Sequence, residues 1–146
     1  VPIGACLAHG EAAELMQPGN HGSTFGGNPL ACAVSLAVLD ELTKPSVLDN
    51  VTHKAERFRA GLAAINAQFG LFQEVRGMGL LIGIELTPQW HGRAKDIVGA
   101  ALEEGLMMLV AGPNVLRFAP SLIIPDADID KGLAHLTAAI ANLTGH

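Results

Sequence analysis

The apolar positions of this chain change their spacing several times, and each change marks an element. Leu30, Val34, Val38 and Leu42 recur every four residues, while Ala31, Cys32, Ala33 and Ala37 keep the other faces small. That pattern predicts a helix from Pro29, capped by Asn28, apolar nearly all round and so buried on most sides. Thr43-Lys44-Pro45 interrupts it. Ser46, with Asp49 three residues on, has the form of a capping box that opens a second helix. The apolar stripe of this helix runs through Val47, Val51, Ala55, Phe58, Leu62, Ile65 and Phe69, with Lys54, Glu56, Arg57 and Arg59 largely off it. An amphipathic, half-exposed helix is expected.

The period then shortens. Residues 72–76 and 80–86 read as two strands joined through Gly77-Met78-Gly79, where glycine permits positive φ. A loop over residues 88–92 leads to a third helix at 94–104, ended by Gly105. Residues 106–110 and 115–118 read as strands joined through Gly112-Pro113-Asn114. Asp126 then has the place of an N-cap for a last helix carrying Ile129, Leu133, Leu136, Ile140 and Leu143. Gly132 within it costs about 1 kcal/mol relative to alanine.

Upstream, residues 1–8 are apolar and punctuated by glycine, as in a buried strand, and 11–16 allow one or two helical turns before Gln17-Pro18-Gly19. Between Asn20 and Asn28 all periodicity is lost, which predicts a loop with unusual backbone angles. Two regions emerge. Residues 46–146 are expected to form a small α+β domain, short antiparallel strands covered by helices, and residues 1–45 the end of another, larger domain.

Composition narrows the picture. Of 146 residues 49% are hydrophobic and 16% charged, and the mean hydropathy is +0.35. Either part of the surface is meant to be covered, or the chain is simply rich in alanine and leucine. The net charge of −5 argues against a nucleic-acid partner, which needs clustered Lys and Arg. No run of about 18 apolar residues occurs, so no membrane span is expected. Cys6 and Cys32 are too few for a disulfide framework and sit among small apolar residues, as buried hydrophobes do. Without a leader-like segment the expected setting is cytoplasmic. The opening Val1-Pro2-Ile3-Gly4 has no methionine and no polar lead-in, as expected for a stretch of a longer polypeptide.

Two segments carry candidate chemistry. The loop His21-Gly22-Ser23-Thr24-Phe25-Gly26-Gly27-Asn28-Pro29 joins three glycines and two hydroxyls to a helix N-terminus. Such a loop is suited to an anion, because backbone N–H groups approach closely and the helix dipole favours negative charge. The alternative is a tightly turned connection without a ligand. In Asn114-Val115-Leu116-Arg117-Phe118-Ala119-Pro120 the side chain of Arg117 points opposite to its apolar neighbours. A guanidinium on a rigid strand can grip a planar carboxylate, although an ordinary outward-facing arginine has the same spacing. Arg76 presents the same choice. The six histidines show no metal-ligand spacing, and His9, His53, His91, His135 and His146 read as solvated or structural. Glu103-Glu104 read as exposed, and Met78, Met107 and Met108 as core filler.

In order and register, Val1-Pro2-Ile3-Gly4, residues 21–29, Arg76-Gly77-Met78-Gly79-Leu80 and residues 114–120 resemble the C-terminal half of the class III aminotransferases. These are fold-type-I α/β enzymes dependent on pyridoxal 5'-phosphate, and the wording of residues 21–33 with Leu116-Arg117-Phe118-Ala119-Pro120-Ser121 is most similar to their acetylornithine subgroup. The resemblance implies transfer of the δ-amino group of N-acetylornithine to 2-oxoglutarate, in arginine biosynthesis, by a homodimer with shared active sites. It implies that Thr24 grips the cofactor phosphate from across the dimer. By the same resemblance Ser23 lines the acyl-ornithine pocket and Arg117 takes the substrate α-carboxylate. The family's Schiff-base lysine would precede Val1, leaving Lys44, Lys54, Lys95 and Lys131 on helix faces and edges. By that reading this chain alone is inactive and holds no cofactor. Other amino donors of the family (succinylornithine, ornithine, 4-aminobutyrate) remain open, as does a non-catalytic α+β interaction module.

Overall fold

The fold is a computed structural model in which residues 1–145 are described; His146 lies outside them. The chain divides into two compact units, residues 1–44 and the chain from Pro45 onward.

The first unit holds α1 (Glu11–Glu14) and α2 (Pro29–Leu42). Asn28 caps α2 as its position suggests, its Oδ1 accepting from the Ala31 N–H at 3.0 Å, with Pro29 at the start of the helix. Three expectations fail in this unit. Residues 1–8 form no strand and are exposed, because among the described residues no neighbouring strand supplies a ladder. Cys6 and Cys32 are exposed instead of buried. α2 is not covered on most sides: Ala31 is buried, whereas Leu30, Leu36, Val38 and Leu39 are exposed. No second apolar layer of this unit lies over them.

The second unit runs α3 (Pro45–Phe69), β1 (Phe72–Met78), β2 (Leu81–Leu86), a single 3-10 turn (Pro88–Trp90), α4 (Ala94–Glu103), β3 (Leu109–Val110), β4 (Val115–Phe118) and α5 (Asp126–Thr144). The strands form one antiparallel sheet in the order β1-β2-β4-β3. Alternation sends Ile82, Ile84 and Leu86 of β2 and Leu116 and Phe118 of β4 into the core. There they meet Phe58, Leu62 and Ile65 of α3, Ile97 of α4 and Ile129, Leu136 and Ile140 of α5. This is an α/β arrangement, a short antiparallel sheet with helices α3, α4 and α5 packed against one face.

Several boundaries shift for local reasons. Helix α3 begins at Pro45, so Ser46 lies inside the first turn and does not cap it. Proline's fixed φ suits the first helical position. Pro125, not Asp126, precedes α5, and no side chain caps that end. β1 extends through Gly77 to Met78, which moves the turn to Gly79-Leu80. Gly77 has φ 134°, and a Cβ there would collide with the Leu81 carbonyl oxygen, so only glycine fits. β3 keeps only Leu109 and Val110 of its expected length.

Burial brings further corrections. Lys54 is 4% exposed, packed on the α3 face that carries Phe58 and not off it. Met78 and Met107 are exposed, and only Met108 of the three methionines is core. Glu104 is half-buried and accepts from Asn142 Nδ2 at 2.8 Å. Among the described residues no helix is long and apolar enough to cross a membrane.

Candidate active site

Two places in the fold hold the candidate residues. In the first unit, residues 20–28 form an exposed loop ending at the α2 N-terminus. Ser23 Oγ accepts from the Gly26 N–H at 3.1 Å, and Asn28 Nδ2 donates to the Phe25 carbonyl at 2.7 Å. A Cβ at Gly26 would lie 3.0 Å from the Ser23 Cβ, so glycine lets the loop close on that serine. Because the Ser23 oxygen is the acceptor in this contact, its own O–H proton stays available to donate. A concavity of about 510 Å³ opens beside Pro2, Ile3, Gly4, Ser23, Gly26 and Gly27. Thr24 is exposed, stands outside that concavity, and has no hydroxyl partner among the described residues.

The loop therefore offers two hydroxyls, close backbone and the positive end of a helix dipole, with no acidic side chain between Gln17 and Val38. That donor set fits a phosphate monoester.

In the second unit, Arg117 sits on β4 between two buried neighbours and projects from the uncovered sheet face. Its Nε is buried and has no hydrogen-bond partner among the described residues, nor is Arg117 in any ion pair there. A buried N–H without an acceptor costs about 1–3 kcal/mol. The group is poised for an acceptor from outside. Arg117 borders two concavities, one of about 290 Å³ with Phe58, Met107, Pro120 and Asp128, the other of about 400 Å³ with Arg76, Gly83 and Val115.

Arg76, which sequence spacing left undecided, is held by two carboxylates through one of its nitrogens. Its Nη1 donates to Glu74 at 2.9 Å and to Glu85 on the neighbouring strand. Those contacts, Glu85 first, raise the guanidinium pKa further. Spacing along the chain misses this cluster because it depends on the pairing of Glu74 with Glu85 across β1 and β2. The one available signal was the alternation Glu74-Val75-Arg76, which puts both charges on one face.

The lysines are accounted for separately. Lys44 pairs with Glu41 at 2.6 Å, Lys54 is buried, and Lys95 and Lys131 are exposed. Among the described residues no group of three or more His, Cys, Asp and Glu could hold a metal.

A family model described as aminotransferase class-III matches residues 1–140. The acetylornithine aminotransferase of Vibrio parahaemolyticus is 56% identical over 97% of this chain, which covers 35% of that protein. The succinylornithine transaminase/acetylornithine aminotransferase of Pseudomonas aeruginosa is 53% identical over 97% of this chain, again 35% of its own length. The chain thus spans about a third of the length of these curated relatives. Among solved structures, N-acetylornithine aminotransferase from Stenotrophomonas maltophilia superposes with a TM-score of 0.78 at 45% identity, covering 82% of this chain and 33% of that one.

Proposed function

This chain belongs to the class-III aminotransferases, and from that membership we propose that the whole enzyme moves the δ-amino group of N-acetylornithine to 2-oxoglutarate. The single observation that carries the carboxylate half of the proposal is the orphaned Nε of Arg117 on a rigid strand. Both substrates present a carboxylate, and a fork of N–H donors matches its planar geometry. The names of the relatives support the acylated ornithine. A second relative, named for both acyl groups, keeps succinylornithine as the alternative donor.

Residue roles follow. Thr24 would hold the phosphate of pyridoxal 5'-phosphate with its hydroxyl, in a second subunit's site. Ser23, whose proton is free to donate, would orient the acyl carbonyl of the donor. When bound, the cofactor supplies an electron sink for the pair released at the substrate carbon bearing the amine. Arg117 would fix the substrate by its carboxylate so that the amine end faces the reacting atoms. Residues 1–45 would close the large cofactor-binding domain, and residues 46–146 would be the small domain that carries Arg117. The proposed setting is cytoplasmic, as a homodimer.

The test is direct. The full-length protein, purified with pyridoxal 5'-phosphate, is expected to form glutamate from 2-oxoglutarate and N-acetylornithine. Failure of every acylated ornithine to yield glutamate, under conditions in which unmodified ornithine or 4-aminobutyrate is turned over, would remove the substrate assignment.

A further inference from the structure

The uncovered sheet face is ordered by register. Gly83 of β2 lies opposite Arg76 of β1 on one side and opposite Arg117 of β4 on the other. The three residues make a row across the strands, with about 10 Å between the outer Cα positions. Gly83 has no side chain, so it forms the floor of a lane bounded by two arginine stems. The concavity of about 400 Å³ is that lane, with Met78, Leu81 and Val115 as its apolar borders.

The two ends of the lane differ in charge. At the β1 end, two carboxylates (Glu74 and Glu85) face one guanidinium, leaving a formal excess of negative charge. Any anion entering there meets the net negative charge of Glu74 and Glu85 around a single guanidinium. At the β4 end, Arg117 has no ion-pair partner and its Nε no acceptor among the described residues. A carboxylate in the lane is therefore driven one way, toward Arg117.

We infer that Gly83 is a specificity-determining position: its missing side chain keeps open the lane through which a substrate carboxylate reaches Arg117, while Glu74 and Glu85 withhold Arg76 as a competing site. The inference rests on the proposed carboxylate role of Arg117. It assigns Gly83 no contact with the reacting atoms. The fold does not require glycine here. Its φ is not positive, and an added Cβ would meet Val115 Cγ1 at 3.5 Å and Arg76 Cγ at 3.9 Å, ordinary contact distances. A strand glycine with room for a Cβ calls for another reason, and the open lane supplies one.

The experiment uses the full-length holoenzyme and glutarate, a dicarboxylate without the keto group, as a non-reacting probe in calorimetric titrations. Gly83→Val is expected to weaken glutarate about tenfold, the scale of losing a charge-assisted contact. Gly83→Ala, the milder variant and the safeguard against misfolding, should weaken it about two- to threefold under the same scale. In turnover, KM for 2-oxoglutarate should rise in the same order while kcat changes less, a split that a merely structural defect would not produce. Arg117→Ala is the control. If it weakens glutarate while both Gly83 variants bind as the parent does, the lane is wrong and the Arg117 role stands. If Arg117→Ala also binds glutarate unchanged, the carboxylate reading falls and takes the lane with it.

Discussion

Thr24 and Arg117 would meet their anions under opposite conditions. Thr24 offers one neutral hydroxyl from an exposed loop, where water competes for the same proton. Its contribution therefore depends on the other loop donors acting together. On the proposed reading, Thr24→Ala in the full-length enzyme should weaken retention of pyridoxal 5'-phosphate about tenfold, near the low end for a hydrogen bond to a charged group. Equilibrium titration of the cofactor absorbance checks this, with unchanged far-ultraviolet circular dichroism as the sign of an intact fold. Equal cofactor affinity in parent and variant would separate Thr24 from the phosphate. Arg117 starts from partial burial, with desolvation of its Nε already incurred. A carboxylate there removes an existing deficit, and few other residues need to assist. Sequence alternation was enough to aim Arg117 away from the core, because neighbouring residues on a strand must point oppositely. It could not reveal that Arg76 is neutralised, since Glu85 reaches it only through strand pairing.

At the level of elements, α3 and α5 run side by side, stapled by charge at one end and by close packing further along. Arg57 donates from Nε and Nη2 to the two oxygens of Asp130 at 2.7 and 2.5 Å, and Asp126 lies 3.8 Å from its Nη1. Gly61 lies directly against Leu133, where a Cβ would collide. The hydrogen bond from Arg57 holds the Asp130 carboxyl below its ordinary value of 3.8. A carboxyl lowered in the folded state stabilises above its unfolded pKa and loses that contribution as pH falls through the folded value. Asp130→Asn should therefore lower Tm slightly near neutral pH, and the gap to the parent should close as pH drops below 3.8. Melting curves of both proteins across that range decide it. A gap independent of pH would mean that this exposed pair does not help dock the helices. Element types were legible where a local signal and the packing agree, as at Asn28-Pro29 for α2 and in the alternation of β4. They were misread where two local signals compete. Ser46 and Asp49 imitate a capping box, yet Pro45 already starts α3. The charge of Lys54 argues for a place largely off the apolar stripe, whereas the residue is buried on the face that carries Phe58.

Across the whole chain the two units differ in what holds them. The second has a contiguous core in which Leu62, Ile84, Leu116, Ile129 and Leu136 are all fully buried. The first has Ala31 as its buried residue and leaves Leu7, Leu15, Phe25, Leu30 and Leu36 exposed. Burial of apolar side chains is the main force opposing chain entropy, at roughly 1.5–3 kcal/mol for each large side chain. By that comparison residues 1–44 are expected to lose order on their own contacts, and the sheet and its helices to keep theirs. On the proposed reading, the loop that carries Ser23 and Thr24 would therefore form its anion site only in the full-length enzyme. Hydrogen exchange on the chain produced by itself is a sharp check. Amides of α2 are expected to exchange nearly as fast as in an unfolded peptide, while those of β2, β4 and α5 are slowed by about a thousandfold or more. Comparable protection in α2 and in the sheet would show that 44 residues with almost no buried apolar surface still fold independently, and that the loop does not depend on its surroundings.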